Sequence, residues 1–446
     1  MDNIPEPSES FLTLESNFIS RSNIIRYYPM VVSRGKGALL WDADDREYID
    51  FSSGGCVANV GYCHPRVIEA IQRQTQRLTH DCFTVCSNDQ TPVLAERISR
   101  LLPGKFEKKI WFGLSGSDAN DWVYKILPKA TGRQKLISFV GNYQGQTMGA
   151  SALSGLMPQK SFLTVSNVIH IPYPYCYRCP LGHESDHCHQ ACFSYFENYL
   201  LGTIVSIDEI AAFVFEPIQG DGGIIVPPEK YIARLYKFCK LNSIPLVVDE
   251  VLTGIGRTGT WWASEQLNIE PDLIVMGKAL GSGVPISAVG GNKDLMDSMV
   301  AAHHVTCGGN VIASAAALAT LNVIQEEGLL NNATSMGTRL LRGLDQLRSE
   351  HYLIGDIRGV GLLIGVEIER EGLPANDLAH QVVYAAWKNG LLLYYLGLYG
   401  NVLILVPPLV IDEKTVDSGL ERLSTAINMV EKGEISDNDI KEFQAW

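Results

Sequence analysis

The run Leu246-Val247-Val248-Asp249-Glu250 carries an apolar segment straight into two carboxylates. A second run, Leu273-Ile274-Val275-Met276-Gly277-Lys278, carries another into a lysine. In an open parallel sheet ligands lie beyond the carboxyl ends of the strands, so both runs deliver charge to such a crevice. A lysine ending a buried run is costly to desolvate, and a merely structural lysine avoids that cost on a helix face. Taken alone, Lys278 also reads as a strand-end lysine reaching back to solvent, and Asp249 as an ordinary strand terminator. A third segment, Lys109 to Asn120 (KIWFGLSGSDAN), passes from a strand through a turn of small residues into a helix. It offers free backbone N–H groups and the hydroxyls of Ser115 and Ser117 at a helix start, which suits a phosphate. Asp118 also fits there as a first-turn partner of the helix dipole. After the strand at 136–139 comes Gly141-Asn142-Tyr143-Gln144-Gly145, where the Tyr143 ring can lie on a flat ligand. Phosphate seat, aromatic ring, strand-end Asp and strand-end Lys together meet the needs of pyridoxal 5′-phosphate. The lysine supplies the Schiff-base amine, and the aspartate keeps the pyridine nitrogen protonated so that the ring accepts electrons from a carbanion.

Two further patterns compete for attention. Cys176 and Cys179 form a CxxC, Cys188 and Cys192 a CxxxC, and His183, His187 and His189 lie among them. Without a secretory signal that spacing reads as a zinc knuckle before it reads as a disulfide framework, the alternative being a cysteine-rich loop that binds nothing. Gly254-Ile255-Gly256-Arg257-Thr258-Gly259 fits GxGxxG after a strand. Asp249 and Glu250 stand where a pyrophosphate would have to sit, and Trp261-Trp262 follow where the helix should be running, so a dinucleotide site is rejected.

The elements that position these groups follow from periodicity. Lys109–Phe112, Leu136–Phe139, Val168–Ile171, Ala212–Phe215, Leu246–Val248 and Leu273–Met276 read as strands alternating with helical stretches, which implies a mostly parallel sheet covered on both faces. Ala38–Leu40 and Tyr48–Phe51 read as a hairpin turned at residues 42–45, and Val67–Thr79 and Ser314–Glu327 as helices. Arg358–Glu367, Leu391–Tyr395 and Val402–Leu405 read as an antiparallel sheet with helices around 376–389 and 413–432. The expected division is an N-terminal segment (1–60) packing with a small α+β domain (328–446), and a large domain (61–327) carrying the Cys/His-rich insertion at 173–192. The 446 residues hold 36 Lys+Arg against 49 Asp+Glu, a formal charge of −13. That balance argues against nucleic-acid or anionic-membrane partners. The opening MDNIPEPSESF is unlike a secretory leader and no apolar run is long enough to span a bilayer, so the expectation is a cytoplasmic enzyme.

The combination resembles the class III aminotransferases, which are pyridoxal-phosphate enzymes of fold type I. The likeness runs from about Tyr27 to the C-terminus and is carried by SGSDAN (115–120), GNYQG (141–145), EPIQGDGG (216–223), VVDEV (247–251), GRTG (256–259), PDLIVMGKALGSGVP (271–285) and TCGGN (306–310). It implies an α/β fold with a mostly parallel seven-stranded sheet in a large domain and a small α+β domain. By the same resemblance Ser115, Gly116 and Ser117 bind the phosphate and Tyr143 stacks on the ring. Gln219 lies near the ring hydroxyl, Asp249 holds the ring nitrogen and Lys278 carries the cofactor. Thr306 would reach the phosphate of a neighbouring subunit, implying a homodimer or tetramer. Tyr27, Gly55 and Cys56 would line the substrate end of the pocket.

Three departures bear on the reaction. Where the family's transaminases place a carboxylate-binding arginine, three residues before Pro407-Pro408, this chain has Ile404. The sixth residue of the EPIQ segment, often Glu, is Asp221, and the histidine usual after the stacking tyrosine is Gln144. The run 390–411 and the closing FQAW look most like the lactam racemase and branched-chain epimerase branch. The expected reaction is therefore inversion at Cα of a neutral amino acid or derivative, with Lys278 as one base and Asp221 assisting on the opposite face, against the alternative of transamination.

Overall fold

The computed structural model describes residues 7–161, 167–184 and 187–443. The chain divides into two units: Pro65–Asn331, and a second made of Met1–His64 together with Asn332–Trp446.

The unit Pro65–Asn331 is built on a seven-stranded sheet. Its strands run in the order Lys108–Gly113, Ser287–Asn292, Leu273–Met276, Leu246–Asp249, Ile210–Phe215, Lys135–Phe139, Val168–Ile171. All neighbours pair in parallel except Ser287–Asn292, which is antiparallel to both strands beside it. The strands are apolar on both faces because both faces are covered. Phe213, Phe215, Leu246 and Val248 pack with Phe193, Phe196, Tyr231 and Leu235 in one core cluster. The alternate residues Ala212, Val214 and Val247 pack with Trp122, Val123 and Ile126 of the helix Gly116–Thr131 in another. Period-two alternation thus feeds two cores, and each fully buried Phe stabilises the sheet by about 1.5–3 kcal/mol.

Ser287–Asn292 is the strand that propensity conceals. Gly290 and Gly291 weaken a strand locally, so the glycine-rich stretch does not read as one. Their smallness is what the site demands. A Cβ on Gly290 would stand 2.6 Å from Ile110 Cδ1, and one on Gly291 would stand 2.1 Å from the Asp272 carbonyl oxygen.

In the other unit the expected hairpin forms between Leu39–Asp42 and Glu47–Asp50, and Asp42 Oδ1 accepts hydrogen bonds from the N–H groups of Asp44 and Arg46 to close the turn. A second, antiparallel sheet contains Ile354–Val360, Leu363–Arg370, Val402–Leu405 and Tyr394–Leu396. The run expected as one strand at Leu391–Tyr395 is divided. Leu391–Leu392 pairs in parallel with Glu47–Asp50, whereas Tyr394–Leu396 pairs with Val402–Leu405. A continuous apolar run carries no mark of which partner each half will find. Among the described residues no helix is long and apolar enough to cross a membrane.

Candidate active site

The unit Pro65–Asn331 brings the ends of five strands to one pocket. Its lining includes Gly116, Ser117, Asn120, Tyr143, Gln144, Gly145, Glu216, Asp221, Val251 and Leu252, with Asp249 and Lys278 facing them. The helix Gly116–Thr131 starts at this pocket, capped by Ser115, whose side chain accepts the N–H of Asp118 at 3.2 Å. Ser115 is therefore spent on its own helix and does not line the pocket, while Gly116 and Ser117 do. Asp118 is likewise structural, accepting from the N–H of Leu114 and contacting His303 at 3.2 Å. Close approach explains the glycines. A Cβ on Gly116 would meet Val251 at 3.0 Å, and one on Gly145, where φ is +127°, would meet Ser117 Oγ at 2.2 Å.

Asp249 ends its strand almost fully buried. Its Oδ1 accepts the N–H of Val251 at 3.0 Å and its Oδ2 accepts the Asn120 amide at 2.7 Å. Burial pushes its carboxyl up to about 6, against the pull of Val251, Asn120 and Lys278. Asp221 is pushed up by burial and drawn back by the same Lys278 ammonium. Glu216, one residue beyond the strand Ile210–Phe215, is pushed up to about 8 by burial first and by Asp249 next. Asp221 and Asp249 thus share the field of Lys278 in a poorly solvated pocket that Glu216 also lines, a concentration of perturbed groups that marks functional sites. Lys278 opens a short 3₁₀ turn with φ of +40°, a left-handed conformation that costs a β-carbon-bearing residue energy and is found where function over-determines the backbone.

The residues fit pyridoxal 5′-phosphate. Asn120 Oδ1 and Gln144 Oε1 are buried acceptors with no partner among the described residues. The N-terminus of a sixteen-residue helix supplies N–H groups for a phosphate, and a buried carboxylate supplies the counter-charge for a pyridinium. Tyr143, half-buried, lines the pocket with its hydroxyl pushed upward by burial and by Asp221.

Other expected positions fall elsewhere. Gln219 stands behind the pocket rather than in it: its amide donates to the Val140 carbonyl at 2.9 Å and to Asn142 Oδ1 at 2.8 Å, holding the loop that carries Tyr143. Thr306 is exposed on the turn before the helix Val311–Glu326 and does not line its own chain's pocket. Tyr27, Gly55 and Cys56 belong to the other unit, where the Tyr27 ring stacks on Tyr394 with centroids 4.9 Å apart and its hydroxyl donates to the Tyr395 carbonyl. Gly55 and Cys56 both have positive φ there, at +81° and +65°.

The zinc expectation finds no support among the described residues. Cys176, Cys179, Cys188 and Cys192 line one small pocket with His183, but among the described residues no group of three or more His, Cys, Asp or Glu side chains is placed to hold a metal ion. Cys192 is drawn into the core cluster with Phe193 and Tyr231, and burial pushes its thiol up to about 12. The GxGxxG segment at 254–259 lies in turns, and the short helix after it begins only at Ala263, so no helix N-terminus meets a pyrophosphate there.

Asn120 and Glu216 are the site residues that sequence reasoning passed over. Asn120 sits one helical turn after Gly116 and so shares its face. Glu216 follows its strand as Lys278 follows its own, and the strand-end rule applied to Asp249 finds it equally well.

The chain is 41% identical to leucine/methionine racemase of Thermococcus litoralis, over 98% of this chain and 99% of that protein. It is 39% identical to isoleucine 2-epimerase of Lentilactobacillus buchneri, over 95% of each. The solved structure of a Bacillus anthracis aminotransferase superimposes with a TM-score of 0.87 at 30% identity, covering 94% of this chain and 98% of that one. The model of the aminotransferase class-III family matches residues 22–427. With its fold type I sheet and its seat for pyridoxal 5′-phosphate, the protein belongs to the class III aminotransferase family.

Proposed function

We propose that the protein is an amino-acid racemase or epimerase that inverts Cα of a neutral amino acid or a close derivative. The observation that carries this reading is the convergence of Lys278 and Asp221 on one pocket, each within electrostatic reach of the other. When bound, pyridoxal 5′-phosphate supplies an electron sink for negative charge at the substrate Cα. Gly116 and Ser117 seat its phosphate, Asp249 pairs with its ring nitrogen, Tyr143 covers its ring and Lys278 is its covalent anchor. Inversion requires proton exchange on both faces of Cα. Lys278 takes and returns the proton on one face, and Asp221 moves it on the other, directly or through water.

The likeness to a racemase and an epimerase over nearly the whole chain supports the reading. So does Ile404, buried in the strand Val402–Leu405 where a transaminase would carry a carboxylate-binding guanidinium. The alternative, amino transfer to an oxo acid, is favoured by the match to the Bacillus anthracis aminotransferase and opposed by that replacement. In this reading Tyr27, Gly55 and Cys56 select a moderately bulky, uncharged side chain. Thr306 completes the phosphate site of a second copy, making a homodimer the smallest active form.

The deciding experiment incubates single L-amino acids with purified holoenzyme in deuterated water, without an oxo acid. Appearance of the antipode with deuterium at Cα, read by chiral chromatography and mass spectrometry, is the expected result. Reaction only after an oxo acid is added would replace this reading with transamination.

A further inference from the structure

Glu216 makes a set of contacts that the chemistry above does not use. Its side chain is buried, and its two oxygens face two different loops. Oε1 accepts the backbone N–H of Tyr143 at 2.7 Å and the side-chain amide of Gln144 at 3.3 Å. Oε2 accepts the backbone N–H of Gly220 at 2.8 Å. Tyr143 covers the cofactor ring, and Gly220 is the residue before Asp221. One carboxylate therefore spans the ring-covering loop and the loop of the second proton-transfer group.

The contacts continue on the other side. The backbone carbonyl oxygen of Gln144 accepts from the Asn120 amide at 3.0 Å, and the same amide donates to Asp249 Oδ2 at 2.7 Å. A buried relay thus runs from Asp249 through Asn120, Gln144 and Glu216 to the Gly220–Asp221 turn. In a buried, low-dielectric setting such bonds are strong, and a group left without its partner pays its full desolvation cost, so the relay has one preferred geometry. The turn has little slack: a Cβ on Gly220 would stand 2.4 Å from Leu252 Cδ2.

We infer that Glu216 is a positioning residue that fixes Asp221 relative to Tyr143, and that Gln144 links this placement to Asp249. The inference rests on the racemase reading and deepens it. Proton transfer by Lys278 on its own face does not depend on where Asp221 stands, whereas inversion needs both groups in place.

The test is Glu216→Gln in the holoenzyme. Glutamine keeps the size and one acceptor, so the Tyr143 N–H stays bonded while an amide donor is turned on the Gly220 N–H. Inversion is expected to fall about 10- to 100-fold while deuterium exchange at Cα falls less than about threefold. A merely structural role would lower both together, and either a parallel loss or no loss overturns the inference. Should the variant fail to fold, Gln144→Met removes one donor and leaves Glu216 its backbone contacts. It should lower the inversion-to-exchange ratio about threefold, and an unchanged ratio would overturn the link through Gln144. A wild-type enzyme that inverts no substrate defeats the functional reading by itself. The positioning role is then judged by the visible circular dichroism of the bound cofactor, which reports its placement against Tyr143. A loss of half the signal in Glu216→Gln at unchanged absorbance supports the role, and an unchanged signal rejects it.

Discussion

Two segments of the unit Pro65–Asn331 carry dense clusters of reactive side chains, and they end differently. The strand ends at Asp249 and Lys278 lie 29 residues apart, yet their side chains face one pocket with Tyr143, Glu216 and Asp221. The segment 173–192 packs four cysteines and three histidines into twenty residues, yet among the described residues it places no metal-holding group. The difference is one of support. The strand-end groups are aimed by a sheet whose hydrogen-bonded register leaves no choice of direction: Asp249 pairs with Val275, two residues before the Gly277-Lys278 turn. Cys176, Cys179 and Cys188 lie on irregular backbone, while Cys192, on the short helix Ala191–Tyr195, is taken into the hydrophobic core. Reactive residue types close in sequence are not a site until something rigid points them at a common centre.

The largest effect that tests this contrast is expected from Lys278→Ala, which removes the covalent anchor and one base together. Turnover should fall below detection and the bound cofactor should lose its visible band. A variant that keeps the wild-type spectrum would remove Lys278 from its role.

Asp249→Asn comes next, with activity expected to drop by about 10²–10⁴ as the ring nitrogen loses its anionic partner. The same change should stabilise the cofactor-free protein. The folded state raises this carboxyl from 3.8 to about 6, so folding holds its proton more tightly than the unfolded chain does. Its contribution is therefore favourable at low pH and is lost as pH rises from about 4 to 6, by about 3 kcal/mol in all. Thermal melts of cofactor-free wild type and Asp249→Asn should differ most at pH 7 and converge near pH 4. Parallel curves would mean that the carboxylate is not paying this cost of burial.

Asp221→Asn should cost inversion about 10²–10⁴ in both directions, since the equilibrium between antipodes cannot change, while exchange on the Lys278 face survives. Equal loss of exchange and inversion would leave Asp221 a structural residue.

The smallest effect belongs to the cysteines. Cys179→Ser with Cys188→Ser should leave activity unchanged and stability within about 0.5 kcal/mol, because partly exposed thiols away from the core contribute little. Elemental analysis of purified protein showing stoichiometric zinc, lost in that double variant, would reverse the contrast drawn above.

Much of this was readable in the residues. Periodicity and the strand-end rule locate Asp249 and Lys278, because a buried run that ends in charge has few places to go. Spacing after the strand locates Gly116 and Ser117, because a turn of small residues entering a helix exposes backbone N–H groups whatever surrounds it. The divided run at Leu391–Tyr395 and the strand at Ser287–Asn292 were not readable. In both, the partner strand decides: Gly290 and Gly291 are poor strand residues that only crowding by Ile110 and Asp272 makes necessary. Gln219 looked like a ligand contact from its place in EPIQGDGG, and tertiary structure turned its amide to Val140 and Asn142. Glu216 and Asn120 were visible as residues but not as partners, since the relay joining them to Asp249 crosses three strands and a helix. Local chemistry is written along the chain, where each residue constrains the next few. Hydrogen-bond partners far apart in sequence are chosen only when the sheet closes and burial makes every unpaired polar atom costly.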